Sequence, residues 1–385
     1  MHSIQIHKFI ALIISFLYLI GVWHRGDKST VKEMQRKLFF CIQNSLFVLS
    51  IGFGSIANDK KNMSIFLAEI SVGAAVLSVK LWLLVWKQNK ILDLLPQVCV
   101  FSIRNGDDYK RSSDKLRGFV KFALVFISAA AFAAFLSTLG LPLFGSEKTI
   151  FMEIAFPLDY RNKEIAFWIA ITFMFIGTSL SVVSLLFTVM CWYLLLSCSL
   201  RYEVLGSELK NLGRITKNVN EEVPAKQMHN RFFEDLKASI DTYPHSGKLT
   251  NDVESFFSDL FFIQLGTSGL CICNSVYCLA FNIGGNSFER LLYFLVFFYF
   301  ISDLFIITYF GNEIMLSSNR LSYCLFESDW YNQPQSTKKC VVIFGEHLKQ
   351  PQQLVICKLY PLTLETFTRI LNSAYSMFNI LKSFQ

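Results

Sequence analysis

The chain has 385 residues, of which 53% are hydrophobic and 17% charged, with 39 phenylalanines; this composition excludes a water-soluble globule and indicates an all-α polytopic membrane protein. The net charge of +7 arises from Lys and Arg clustered between apolar runs rather than along one face, so nucleic-acid binding has no support and the charge reads as membrane topology. Of the 10 cysteines, those outside apolar runs (Cys99, Cys324, Cys340 and Cys357) fall in segments assigned below to the cytoplasm, so free thiols are expected.

At the N-terminus, His7 and Lys8 precede an uncharged run from Phe9 to Trp23. A signal peptide would need a small-x-small cleavage site where Trp23 stands, and the run is short for a span. An interfacial or re-entrant helix within a cytoplasmic segment, residues 1–37, is expected. Six apolar runs follow in residues 38–312: Leu38 to Ala57, Ile65 to Trp86, Phe119 to Leu141, Ile165 to Leu200, Leu260 to Phe288, and Leu291 to Asn312. The fourth carries no charge between Glu164 and Arg201, about 54 Å of helix against a hydrocarbon core of about 30 Å. It is expected to project into the cytoplasm. The connection 201–259 is polar, with expected breaks at Asn218–Pro224 and Thr242–Gly247 separating helical stretches. Between the third and fourth runs, Pro142 to Glu164 is long enough to cap a cavity. A polar segment, 313–358, then leads to a last helix within 359–385, giving seven spans.

Lys plus Arg counts on alternate connections are 26 against 7. The positive-inside rule therefore puts the N-terminus in the cytoplasm and the C-terminus outside. The sequon Asn62-Met63-Ser64 falls in an expected outer loop and makes Asn62 the glycosylation candidate.

In the last helix, Leu362 to Phe384, residues Asn372, Ser376, Asn379 and Ser383 share a wedge of about 60° at 100° per residue. Phe367, Ile370, Leu371, Ala374, Met377, Phe378 and Leu381 cover the far side. Such a helix suits lining water with its back on protein; a surface amphipathic helix is the other reading. Asp303, mid-way along the sixth run, is a functional suspect or a structural carboxylate bonded to Tyr299 or Thr308. Glu69 and Lys80 sit towards the ends of the second run, where they can snorkel. For catalysis there is little: the six histidines make no metal-ligand spacing, Cys271-Ile272-Cys273 has too short a gap for zinc, and no phosphate loop or nucleophile elbow occurs. No enzyme activity, cofactor or metal is expected.

Tyr309-Phe310-Gly311-Asn312-Glu313, Tyr323, Phe326-Glu327-Ser328-Asp329-Trp330-Tyr331, Leu359-Tyr360-Pro361-Leu362, Phe367 and Tyr375-Ser376 occur in the order seen in insect odorant receptors. The C-terminal region resembles that family, as does Leu19-Ile20-Gly21-Val22-Trp23 before the first span. The resemblance implies a tuning subunit of an odorant-gated, non-selective cation channel, in a heterotetramer with a shared co-receptor in the plasma membrane of sensory neurons. It implies a split seventh helix: a cytoplasmic anchor segment, to which Glu313, Trp330 and Tyr331 are assigned, and an outer half lining the pore. Packing inside one subunit is an equal reading for the two aromatics. The pore candidates are Asn372, Ser373, Ser376, Ile380 and Phe384; the family's apolar constriction aligns with Ile380 and Phe384, turned some 60 to 80° from the polar wedge. The odorant site is implied between helices two, three, four and six in the outer half. There the candidates are Ala74, Ala75, Phe132, Phe135, Leu136, Thr138, Phe167, Phe173, Met174, Asn274, Tyr277, Tyr293, Phe294 and Phe297, for a small volatile ligand, aromatic or otherwise flat. Core packing competes at each of these positions. A gustatory-receptor-like homotetramer lacks its Thr-Tyr and Gln-Phe signature here. A G-protein-coupled receptor lacks its Asp-Arg-Tyr and Asn-Pro-x-x-Tyr motifs and has the opposite topology.

Overall fold

In the computed structural model the described residues are 2–26, 29–58, 61–140, 150, 152, 154–160, 162–214, 225–281 and 287–383. A short α1 (Lys8–Leu19) precedes α2 (Val31–Ala57), α3 (Lys61–Trp86), α4 (Gln88–Cys99) and α5 (Gly106–Phe135), which widens into a π-helical turn at Leu136–Gly140. Then come α6 (Glu164–Lys210), α7 (Ala225–Ala280), α8 (Ser287–Phe326), α9 (Gln335–His347) and α10 (Leu364–Ser383). Six of these, α2, α3, α5, α6, α7 and α8, are long and apolar enough to cross a membrane.

The mast of the bundle is α6. It is apolar on all sides, and every residue from Ser184 to Leu200 is buried, the pattern of a helix surrounded by protein. Its 47 residues reach about 70 Å at 1.5 Å per residue, so it extends past the bilayer's thickness as its uncharged length predicts. Around the overhanging end gather α4, the first half of α7 and α9. There α4 buries Ile91, Leu94, Leu95, Val98 and Cys99, spacing that puts one stripe on the core. Arg201 of α6 caps its end, donating from Nε to the Val98 carbonyl at 2.7 Å and from Nη2 to that of Val100 at 2.9 Å.

Two small ribbons break the helical rule. Strand β1 (His2–Ile4) pairs antiparallel with β2 (Phe101–Ile103), and β3 (Val355–Ile356) with β4 (Tyr360–Pro361). The second turns through a three-residue loop, Cys357–Leu359, in which Cys357 (φ 49) and Lys358 (φ 58) are left-handed. The Cys357 N–H donates to Ser258 Oγ on α7 at 2.8 Å. This hairpin separates α9 from α10, the division expected of a split seventh helix. Near the other terminus, His7 caps α1, its Nδ1 accepting from the Phe9 N–H at 3.2 Å. Burial, and then neighbouring Lys8, hold His7 below the ordinary imidazole range, preserving the acceptor.

Several expectations are corrected. The fifth run does not continue to Phe288: α7 ends at Ala280 and α8 begins at Ser287. The sixth does not stop at Asn312, because α8 continues to Phe326. No break occurs at Thr242–Gly247; α7 runs through with Pro244 inside it. Phe232, Leu236, Leu249, Val253 and Phe257 are buried on both sides of the proline, and this packing outweighs the local cost of a missing N–H. The other break, Asn218–Pro224, lies outside the described residues, as do Pro142 and Gly145. Asn62 falls in the first turn of α3 rather than in a loop, and its side chain is outside those described.

Candidate functional site

Away from the overhanging end, α3, α5, α6 and α8 line a cavity of about 330 Å³ that is open on one side of the bundle. Ligand pockets in proteins occupy roughly 300–1,000 Å³. Small side chains make the room: Gly73 and Ala74 on α3, and Ala129, Ala130, Ala133 and Ala134 on α5. The four alanines fall at i, i+1, i+4 and i+5, one face of a helix. Phe126, Phe294, Phe298, Tyr299 and Phe300 supply aromatic walls, and Phe47 and Met152 contribute from α2 and the segment before α6. Phe126 and Tyr299 stack with ring centres 5.8 Å apart. Phe294 and Phe298, 51% and 59% exposed, form a rim towards the outside of the bundle.

Few polar atoms reach this space. Thr178 Oγ1 donates to the Met174 carbonyl at 2.9 Å, and Ser181 Oγ to that of Gly177 at 3.0 Å, so both are satisfied by their own helix. Tyr299, by contrast, makes no side-chain hydrogen bond among the described residues and is on the wall. Its phenol is the polar handle that an apolar pocket needs to orient a ligand.

Of the candidates read from the sequence, the structure brings Ala74 and Phe294 together on this cavity. Ala75 lies on a separate groove beside Trp82 and Trp86. Phe132 and Phe135 are 54% and 41% exposed, on the side of α5 opposite its alanines. Phe167, Met174 and Tyr293 are buried in an apolar cluster beyond the cavity, against which Leu136 and Phe173 also pack. Tyr293 meets Phe66 edge-on with centroids 4.3 Å apart. Thr138 is buried, its hydroxyl donating to Ala134 O at 2.8 Å. Asn274 donates to Glu69 at 2.6 Å, Tyr277 packs on Phe281, and Phe297 lies against the main core. The alanine face and Tyr299 carry no signal of a site in the sequence, because the volume is made where side chains are small rather than by any distinctive residue.

One turn beyond the cavity wall, Lys80 on α3 faces Asp303 on α8, with Nζ 3.1 Å from Oδ2 and both residues almost fully buried. Gln264 of α7 donates to the same Oδ2. The expectation that Lys80 snorkels is overturned, as is that for Glu69, which is 5% exposed and accepts from Asn274 and Ser275. Asp303 bonds neither Tyr299 nor Thr308; the Thr308 hydroxyl donates to the Leu304 carbonyl. Burying two charges is tolerable because each supplies the other's counter-charge.

The last helix divides as its periodicity predicts. Ile370, Leu371, Ala374 and Phe378 pack on the core, whereas Asn372, Ser373, Ser376 and Ile380 are exposed; Met377 is the exception, 39% exposed. Phe367 meets Phe305 of α8, and Phe378 meets Phe281. Gly269 of α7 admits Ile370, whose Cγ2 would be 3.2 Å from an added Cβ. Phe384 lies outside the described residues. Of the anchor candidates, Trp330 packs edge-on against Phe326 at 5.8 Å, and Tyr331 is 59% exposed. Glu313 is half-buried with no hydrogen bond among the described residues.

Comparison with known proteins agrees with this architecture. Residues 64–375 match the family profile described as 7tm Odorant receptor. Odorant receptor 94a of Drosophila melanogaster is 24% identical over 295 residues, 73% of this chain and 72% of that protein. Odorant receptor 33c of the same species is 32% identical over a shorter stretch of 133 residues, 34% of each chain. The solved structure of the insect olfactory receptor OR5 from Machilis hrabei superposes with a TM-score of 0.81 over 97% of both chains at 13% identity, a likeness of fold. Its complex with eugenol superposes with a TM-score of 0.77 over 98% of each. With a matching profile across most of its length and the same helical architecture, the chain belongs to the 7tm odorant receptor family.

Proposed function

We propose that this chain is the odorant-binding, tuning subunit of a heteromeric odorant-gated, non-selective cation channel, assembled with the shared odorant co-receptor in the plasma membrane of sensory neurons. The single observation that carries this reading is the cavity: about 330 Å³ of apolar and aromatic wall with one free phenol, inside a bundle of odorant-receptor fold. A flat volatile with one hydrogen-bonding group suits that lining, and a relative's complex with eugenol supports a small aromatic ligand. Ala74 and Phe294 are retained as contacts, joined by the alanine face of α5 and by Tyr299.

Odorant binding favours the open state because that state holds the ligand more tightly. The family resemblance suggests that α10 then moves and lines the pore, with Asn372, Ser373 and Ser376 hydrating ions and Ile380 closing by dewetting. The exposure of these four side chains, with the apolar back of α10 on α7 and α8, supports one pore stave per subunit. The 26-to-7 charge asymmetry supports the overhanging end, with exposed Tyr331 as a subunit contact, in the cytoplasm and the C-terminus outside. Current recording from cells expressing the chain with and without the co-receptor, across a panel of volatiles, tests the reading. Odorant-evoked cation current that requires both subunits is expected; current from this chain alone would instead indicate a homomeric channel.

A further inference from the structure

A second concave surface lies far from the cavity, between the C-terminal half of α1 and the start of α2. It measures about 710 Å³ and has two unlike walls. One is apolar: Leu12, Phe16 and Leu19 are 65%, 42% and 82% exposed. The other carries Arg25 and Arg36, both exposed and neither ion-paired among the described residues. Gly21 (φ 76) makes this wall possible, because an added Cβ would overlap the Arg36 guanidinium.

Between the walls sits His24, 8% exposed and held by a buried network. Lys37, 4% exposed, places Nζ 2.8 Å from His24 Nδ1 and 3.3 Å from Gln88 Oε1. Gln88 accepts from the His24 N–H at 3.2 Å and donates to its carbonyl at 2.7 Å. An ammonium only donates, so Nδ1 accepts and the ring proton is on Nε2. That N–H has no partner among the described residues. The one carboxylate among the described residues of the groove, Glu33, is engaged by the Thr30 cap, Oε2 accepting from the Thr30 N–H at 2.8 Å and its hydroxyl at 2.9 Å.

We propose that this groove binds the phosphate headgroup of an anionic glycerophospholipid, with an acyl chain along Leu12, Phe16 and Leu19. Two guanidiniums and an oriented imidazole N–H match phosphate oxygens, and the apolar wall matches hydrocarbon. The 12-residue α1 is too short to span, and it exposes Leu12, Phe16 and Leu19, apolar side chains that call for hydrocarbon beside them, so the groove opens at the membrane's edge. The inference needs only a membrane-embedded chain and is independent of ligand gating.

Native mass spectrometry of the purified full-length protein, titrated with phosphatidylcholine, phosphatidylserine or phosphatidylinositol 4,5-bisphosphate, tests it. Wild-type protein is expected to retain the anionic lipids about tenfold more than phosphatidylcholine. Arg25→Gln with Arg36→Gln should abolish most of that preference, while Arg25→Lys with Arg36→Lys keeps much of it. Leu19→Ser, at a position too exposed to matter for folding, should weaken retention of every lipid without changing the preference. Equal retention of neutral and anionic lipids, or an unchanged preference in the glutamine variant, would overturn the site. Inositol trisphosphate binding as tightly as the lipid would overturn its assignment to lipid.

Discussion

Lys80 and Asp303 carry a large energetic stake, because neither can reach water to relieve an unpaired charge. Lys80→Met alone or Asp303→Asn alone is expected to cost about 3–5 kcal/mol, whereas Lys80→Met with Asp303→Leu recovers most of it; melting of the purified variants measures both. In the cavity, Tyr299→Phe should weaken responses to odorants carrying a hydrogen-bonding group by roughly 2- to 12-fold in half-maximal concentration, with pure hydrocarbons unaffected. His7 gives a pH signature. Its lowered value means that folding favours the neutral ring, so the cap's contribution is complete above about 6.5 and is lost as pH falls through the lowered folded value. Melting temperature between pH 7.5 and 5 should show that loss in wild type but not in His7→Asn, whose amide caps at any pH. Asp303 was legible as a suspect because a carboxylate mid-span is expensive. Its partner was not, since Lys80 lies 223 residues away in sequence and local hydropathy treats each charge alone.

At the scale of elements, the hairpin before α10 is held in a conformation its residues resist. Left-handed backbone at Cys357 and Lys358 costs about 1 kcal/mol or more each in a residue with a Cβ. Lys358→Gly is expected to raise stability by up to about 1 kcal/mol, read from the melting temperature, with the fold unchanged. The long apolar helices and the two faces of α10 were readable because a 3.6-residue repeat survives any tertiary context. The short α4 and the unbroken α7 were not, for a common reason. Burial of Ile91, Leu95 and Val98 against α6, and of Phe232 to Phe257 around Pro244, is settled by neighbours from elsewhere in the chain, and it overrides local breakers and short length. The alanines of α5 read as ordinary helix formers; only the packing of Gly73, Tyr299 and Phe300 across from them turns their small size into a cavity.

In the whole molecule, the cavity lies in one half of the bundle and the polar-faced α10 packs on α7 and α8. The buried link of α3, α7 and α8 through Lys80, Gln264 and Asp303 lies beside the cavity, so on the proposed reading a shift of α8 is expected to be passed to α7, on which α10 rests. Class and the six long apolar helices followed from composition and hydropathy, with the seventh expected span, α10, too polar to register as one of them, whereas the position of the cavity required knowing which helix faces meet. The most direct test of the central claim fills that cavity: Ala130→Trp expressed with the co-receptor, with odorant dose–response compared with wild type at matched surface expression. The account predicts that responses to the volatiles that activate wild type fall at least about tenfold in potency or disappear, since the added indole occupies volume the ligand needs. Wild-type potency and efficacy in that variant would contradict it and place odorant binding elsewhere on the chain.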